Sequence, residues 1–99
     1  MSYVDRFAPF RNATAAALLR GPGATPAELR EAVARGTPPP DLVPLVTKIR
    51  QHAYTVTDAD LAALRRHYTE DELFEIVVSA SFGAAEARLL AGLRALEEA

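Results

Sequence analysis

The stretch from Thr69 to about Leu96, TEDELFEIVVSASFGAAEARLLAGLRAL, sets the terms for the rest of this chain. Thr69 followed three residues later by Glu72 reads as a capping box, in which the hydroxyl accepts the Glu72 N–H and the carboxylate returns to the Thr69 N–H. Asp71 and Glu72 stand where the positive end of a helix dipole favours anions. From Leu73 to Ala85 apolar residues fall almost all round, as on a helix covered on several sides; after Ala85 they narrow to a stripe through Leu89, Leu93 and Leu96. The pattern predicts one helix roughly 40 Å long. A compact chain of 99 residues has a radius of gyration of only about 13 Å. One copy can hardly wrap such a rod, so either its far end projects or a second copy covers it. Ser79, Ala80, Ser81, Gly83, Ala84 and Ala85 are small enough to admit another backbone, of this chain or of a partner. Phe74, Val78, Ser81, Phe82, Ala85 and Leu89 are the candidate oligomer interface.

The remaining composition narrows the class. Ala and Leu dominate the apolar residues and no stretch alternates apolar with polar, so the expected fold is all-α, in a single domain over residues 1–99. There is no cysteine, which excludes a disulfide framework, a thiolate metal site, a cysteine nucleophile and a thiol redox cycle. The net charge of −2 is spread without a basic stripe, and Arg65-Arg66-His67 is too short a cluster for nucleic acid. MSYVDRFAPF carries an acid and no uninterrupted apolar run, unlike a signal peptide. Glu75 and Glu86 interrupt the best membrane-span candidate. The expectation is a cytoplasmic protein with neither a membrane nor a nucleic-acid partner.

In chain order, residues 1–8 form an arm whose Tyr3, Val4 and Phe7 lie on the domain or reach a neighbouring subunit. A first helix opens at Pro9 or Asn12 and runs to Arg20, with Gly21 as a left-handed stop. Gly21-Pro22-Gly23 is then a turn; it follows a helix and lacks the Lys-Ser/Thr of a phosphate-binding loop. Thr25 as cap, Pro26 at the first helical position and Glu28 as box partner start a second helix, with Leu29, Ala32 and Val33 inward and Gly36 at its end. Thr37-Pro38-Pro39-Pro40 is a stiff connector. A third helix presents Leu42, Leu45, Val46, Ile49 and Ala53, tolerates Pro44 in its first turn, and ends near Tyr54. Thr57 caps a fourth, with Leu61, Leu64 and Tyr68 on one face. Five helices joined by short loops make a bundle.

Few polar residues stand out. His52 and His67 lie fifteen apart on different helices with no third ligand, so no metal site and no cofactor are expected. Asp71, Glu75, Ser79 and Glu86 recur at steps near four and seven, the pattern of a solvent stripe on the long helix. Were a partner to enclose that stripe, Glu75 is the first acid to consider, with Arg88 or Tyr54 beside it. Tyr68 is expected to pack beneath the turn with its hydroxyl on a backbone partner.

Residues Tyr54-Thr-Val-Thr-Asp-Ala-Asp-Leu-Ala-Ala-Leu64, then Tyr68-Thr-Glu-Asp-Glu-Leu-Phe-Glu-Ile-Val77, then Gly83 to Leu96 resemble the C-terminal half of carboxymuconolactone decarboxylase-like and alkylhydroperoxidase D-like proteins. Leu18-Leu-Arg-Gly-Pro-Gly23 and Leu29-Arg-Glu-Ala-Val33 are similar to a short, cysteine-free branch of that group, so the resemblance covers roughly residues 18–96. It implies an all-helical fold assembled into dimers, trimers or hexamers. The peroxidase members work through a Cys-x-x-Cys followed by a His; none of this carries over, because the cysteines are absent and His52 sits in the unrelated context Lys48-Ile-Arg-Gln-His-Ala-Tyr54. The expected function is a non-catalytic homo-oligomer acting as scaffold or accessory subunit for a protein encoded nearby. Two alternatives are a lyase or isomerase using His52, Glu75 and Tyr54, and a small-molecule binder with a pocket between helices.

Overall fold

The computed structural model describes residues 2–99, all-helical and without a strand among them. Six α-helices follow in order: α1 (Tyr3–Arg6), α2 (Ala8–Ala15), α3 (Ala27–Arg35), α4 (Val43–His52), α5 (Asp58–Leu64) and α6 (Glu70–Glu98). A π-helical turn over Ala16–Arg20 continues α2, and short 3-10 turns over Pro40–Leu42 and Ala53–Thr55 flank α4.

The long helix forms without a break over 29 residues. Its start is the expected capping box: Thr69 Oγ1 accepts the Glu72 N–H at 3.1 Å and Glu72 Oε1 accepts the Thr69 N–H at 2.8 Å. Thr57 and Asp60 build a second such box ahead of α5. Gly36 ends α3 at φ 81°, and the Gly36 N–H to Val33 and Thr37 N–H to Ala32 bonds close a Schellman motif.

The core gathers where α3, α4 and the first half of α6 meet. Val33, Leu42, Leu45, Val46, Ile49, Leu64, Leu73, Ile76 and Ala80 are buried together, flanked by Leu29, Leu61, Tyr68 and Val77. Full burial of each large aliphatic side chain contributes about 1.5–3 kcal/mol. Small residues let α3 approach α6: a Cβ at Gly83 would run into the Ala34 carbonyl. Only this side of α6 is covered. Leu73, Ile76, Ser79, Ala80, Ala84 and Leu93 are buried, whereas Phe74 is 70% exposed. The all-round apolar pattern therefore overstates what one chain covers.

Several local expectations need correction. The arm takes the first of its two expected placements and lies on its own domain, with an unexpected turn of helix in it: Ser2 caps the single turn α1, and the Val4 N–H donates to Glu97 Oε1 at 3.0 Å, docking α1 on the far end of α6, while Met1 lies outside the described residues. That turn raises the helix count from five to six. Gly21 is extended (φ −71°, ψ 173°) and not left-handed, because α2 runs out through a π-turn in place of an α-helical end. Thr25 does not cap α3, whose N-cap is Pro26; its hydroxyl is engaged elsewhere. Ala53 is exposed, since α4 has by then tightened into a 3-10 turn. Tyr68 does pack under the turn, but its hydroxyl donates to Asp41 Oδ2 at 2.7 Å and not to a backbone group.

By length and composition alone α6 is long and apolar enough to cross a membrane, with an 18-residue stretch of mean hydropathy 1.4 that is 33% buried. Twenty uninterrupted apolar residues are a stricter demand, and Glu75 and Glu86 break it. A core helix meets the looser measure equally well.

Candidate functional site

The most elaborate polar arrangement centres on Glu75. The chain leaves the π-turn, reverses through Gly21-Pro22-Gly23, and lays the backbone of residues 23–25 over α6. Glu75 Oε2 accepts the Ala24 N–H at 2.6 Å; Oε1 accepts the Thr25 N–H at 2.9 Å and the Thr25 hydroxyl at 2.6 Å. A Cβ on Gly23 would stand 2.6 Å from the same carboxylate, so a larger residue there would have to displace the Glu75 side chain. This loop does cradle an anion, one belonging to its own chain. Arg30, only 5% exposed, lies behind it with Nε 3.9 Å from Glu75 Oε1. Its Nη1 donates to the Leu18 carbonyl at 3.0 Å and its Nη2 to the Gly21 carbonyl. A buried cation thus takes up carbonyls at the end of the first helical run while a carboxylate gathers the N–H groups that follow.

These bonds hold Glu75 ionised. The Thr25 hydroxyl, then the Ala24 and Thr25 N–H groups, lower its pKa against a smaller opposing effect of burial, and the Arg30 charge adds to the lowering. A general base works best with a pKa near the operating pH. Glu75 is shifted the other way and both its oxygens already accept hydrogen bonds, three in all, so the geometry suits a structural pin. Ser79, one turn on, is 1% exposed with an unpartnered hydroxyl. Glu75 and Ser79 consequently do not belong to a solvent stripe; that face of α6 is roofed by α3 and its leading loop, while Asp71 remains exposed.

The other candidates sit apart from this pin. His52 and Tyr54 meet edge to face with ring centroids 5.9 Å apart, and Tyr54 is 86% exposed. Arg88 donates to the Arg50 carbonyl at 2.8 Å, capping the end of α4, and makes no bond to Glu75. Two of the three weak catalytic candidates are thus together at the surface while the third is tied to residues 24–25. Among the described residues no three His, Cys, Asp or Glu side chains are placed to hold a metal ion.

Three clefts stand out among the described residues, and His52, Tyr54 and Glu75 line none of these three. One, of about 470 Å³, lies between the π-turn, α3 and α6, with Arg11, Arg20, Arg35 and Arg50 around a floor that includes Ala15, Leu19, Phe82 and Leu90; Glu31 and Glu86 are its acids. A neighbouring groove of 390 Å³ runs between α2 and the outer face of α6, lined by Phe10, Thr14, Phe82, Ala85 and Leu89. The third, of 250 Å³, is a shallow seam between α4 and α5. Of the candidate interface, Phe74, Ser81, Ala85 and Leu89 are exposed and Val78 and Phe82 half-buried, on successive turns of one side of α6.

Arg30 and the ring of arginines escape a reading of the sequence. One sign of Arg30 was present: it precedes Val33 by three residues, which places a cation on the inward face of α3. The arginines come from three segments, the first helical run, α3 and α4, and converge only in the folded chain. No protein-family model, curated protein or solved structure matches this chain.

Proposed function

We propose that the chain is a non-catalytic helical subunit of the alkylhydroperoxidase D-like kind, which assembles with further copies of itself along the outer face of α6 and serves another protein as scaffold or accessory subunit. The observation that carries this reading is surface in excess of what the chain covers. The molecule exposes 6337 Å². A compact monomer of 10.7 kDa exposes about 5,500 Å². The difference, roughly 800 Å², is what one partner contributes to an interface of standard size. Part of that excess lies along the outer face of α6, where Phe74 is 70% and Leu89 47% exposed with Val78, Ser81, Phe82 and Ala85 on the turns between them, and a second copy presents the same stripe to it. The lyase or isomerase alternative finds no support in the site, because Glu75 is held ionised by three hydrogen bonds from Ala24 and Thr25 and meets neither His52 nor Tyr54.

Because the chain has no cysteine, a single thiol reports its own neighbourhood. Ser81→Cys, on the outer face, is expected to yield a covalent dimer with a short bismaleimide cross-linker. Asp58→Cys, exposed on α5, is expected to remain a single chain. Equal cross-linking of the two, or none at Ser81→Cys, would contradict the assignment of this face.

A further inference from the structure

We propose that the 470 Å³ cleft between the π-turn, α3 and α6 binds a small organic anion, a carboxylate or phosphate monoester carried on an apolar body. The electrostatic argument comes from which charges are already answered. Arg20 is paired with Glu31 at 2.8 Å. Arg35, Arg50 and Arg11 form no ion pair among the described residues, and Glu86 alone opposes them. In a chain whose net charge is −2, this is a local surplus of positive charge facing a concavity. The guanidinium groups are also held in place. Arg50 gives Nη1 to the Ala34 carbonyl at 2.9 Å and lies against the backbone of Gly36, while Arg11 gives Nη2 to the Val4 carbonyl at 2.9 Å and keeps a buried Nε without a partner. Guanidinium forks held this way match the two oxygens of a carboxylate or phosphate.

The rest of the cleft is not built for a bare ion. Leu19, Phe82 and Leu90 supply an apolar floor, and the volume falls within the range of about 300–1,000 Å³ usual for small-molecule sites. Part of its wall, at Leu19 and Arg20, comes from the π-turn Ala16–Arg20, a distortion frequent at functional sites. The cleft meets the outer face proposed for self-association at Phe82, and its other lining residues lie outside that stripe.

The test is a chemical-shift titration of the full chain with hexanoate and with hexyl phosphate, against hexanol and inorganic phosphate. Binding of either amphiphilic anion, with shifts centred on Leu19, Arg35 and Phe82 and clearly tighter than hexanol, is the expected result. Arg35→Gln, at an exposed position with no ion pair to lose, is expected to weaken it on the order of tenfold, as for loss of one charge-assisted hydrogen bond. Arg50→Gln, checked for folding by its spectrum, is expected to do the same. The proposal is overturned if hexanol binds as tightly as the anions, if inorganic phosphate matches hexyl phosphate, if the shifts fall on Phe74 and Leu89, or if Arg35→Gln binds unchanged.

Discussion

A single carboxylate fastens the return of the chain to the long helix. Glu75 accepts three hydrogen bonds from residues 24 and 25 and stands beside the buried Arg30, so its removal strands two backbone donors and weakens the compensation of a cation. Glu75→Gln keeps the shape and loses the charge, and is expected to destabilise the fold by about 1–2 kcal/mol at neutral pH. The pH dependence follows from the direction of the shift. The folded pKa lies below the ordinary value of 4.5, so folding favours the ionised form; that stabilisation is complete above the ordinary carboxylate range and is lost as pH falls through the folded pKa. Melting temperature of the native chain should therefore drop on acidification below about pH 5, and Glu75→Gln should drop less steeply. Tyr68 shows the opposite sign. Burial first, then the hydrogen bond to Asp41 and the Asp41 and Glu72 charges, push its pKa up to about 12. Ultraviolet titration of the native chain should contain a component near 12 that Tyr68→Phe removes. Glu75 is identifiable in sequence as an acid on an apolar helix, but its partners are not: Thr25 has every local mark of a helix cap, and only the distant carboxylate takes its hydroxyl away.

Helix limits were legible where they depend on neighbours in the chain, and obscure where they depend on tertiary contact. Thr57, Thr69 and Gly36 act within one turn of themselves, and their caps form as their spacing requires. The end of α2 does not. Ala16-Ala-Leu-Leu-Arg20 has no local mark that separates an α-turn from a π-turn, and the carbonyls of Leu18 and Gly21 are met by Arg30 of the next helix. Glycines within α6 make the same distinction measurable. Alanine is the better helix former by about 1 kcal/mol, so propensity alone favours replacing either Gly83 or Gly92. A Cβ at Gly92 meets nothing within 4 Å, and Gly92→Ala is expected to stabilise by roughly 0.5–1 kcal/mol. Gly83 faces the Ala34 carbonyl, and there overpacking of about 1–3 kcal/mol outweighs the gain. Urea denaturation midpoints should move in opposite directions for the two variants.

At the scale of the whole molecule, the long helix determines the outline. The chain measures 48 × 29 × 18 Å with a radius of gyration of 14.7 Å, above the value of about 13 Å for a compact chain of this length. A rod of about 43 Å, at 1.5 Å per residue, accounts for the long axis. That much was readable in the pattern from Leu73 to Leu96, because the capping box at Thr69 marks the start and no proline follows to break the helix. Which side stays open was not readable, since Phe74 and Leu73 are equally apolar neighbours and only the arrival of α3 and α4 on one side distinguishes them. The arm of α1 covers part of the far end, yet the outer stripe through Phe74, Ala85 and Leu89 remains without a partner in the single chain. Sedimentation equilibrium of the native chain tests the central claim most directly. The account predicts a mass at least twice 10.7 kDa that falls toward 10.7 kDa in Ala85→Arg; a native mass of 10.7 kDa across the whole concentration range would contradict it.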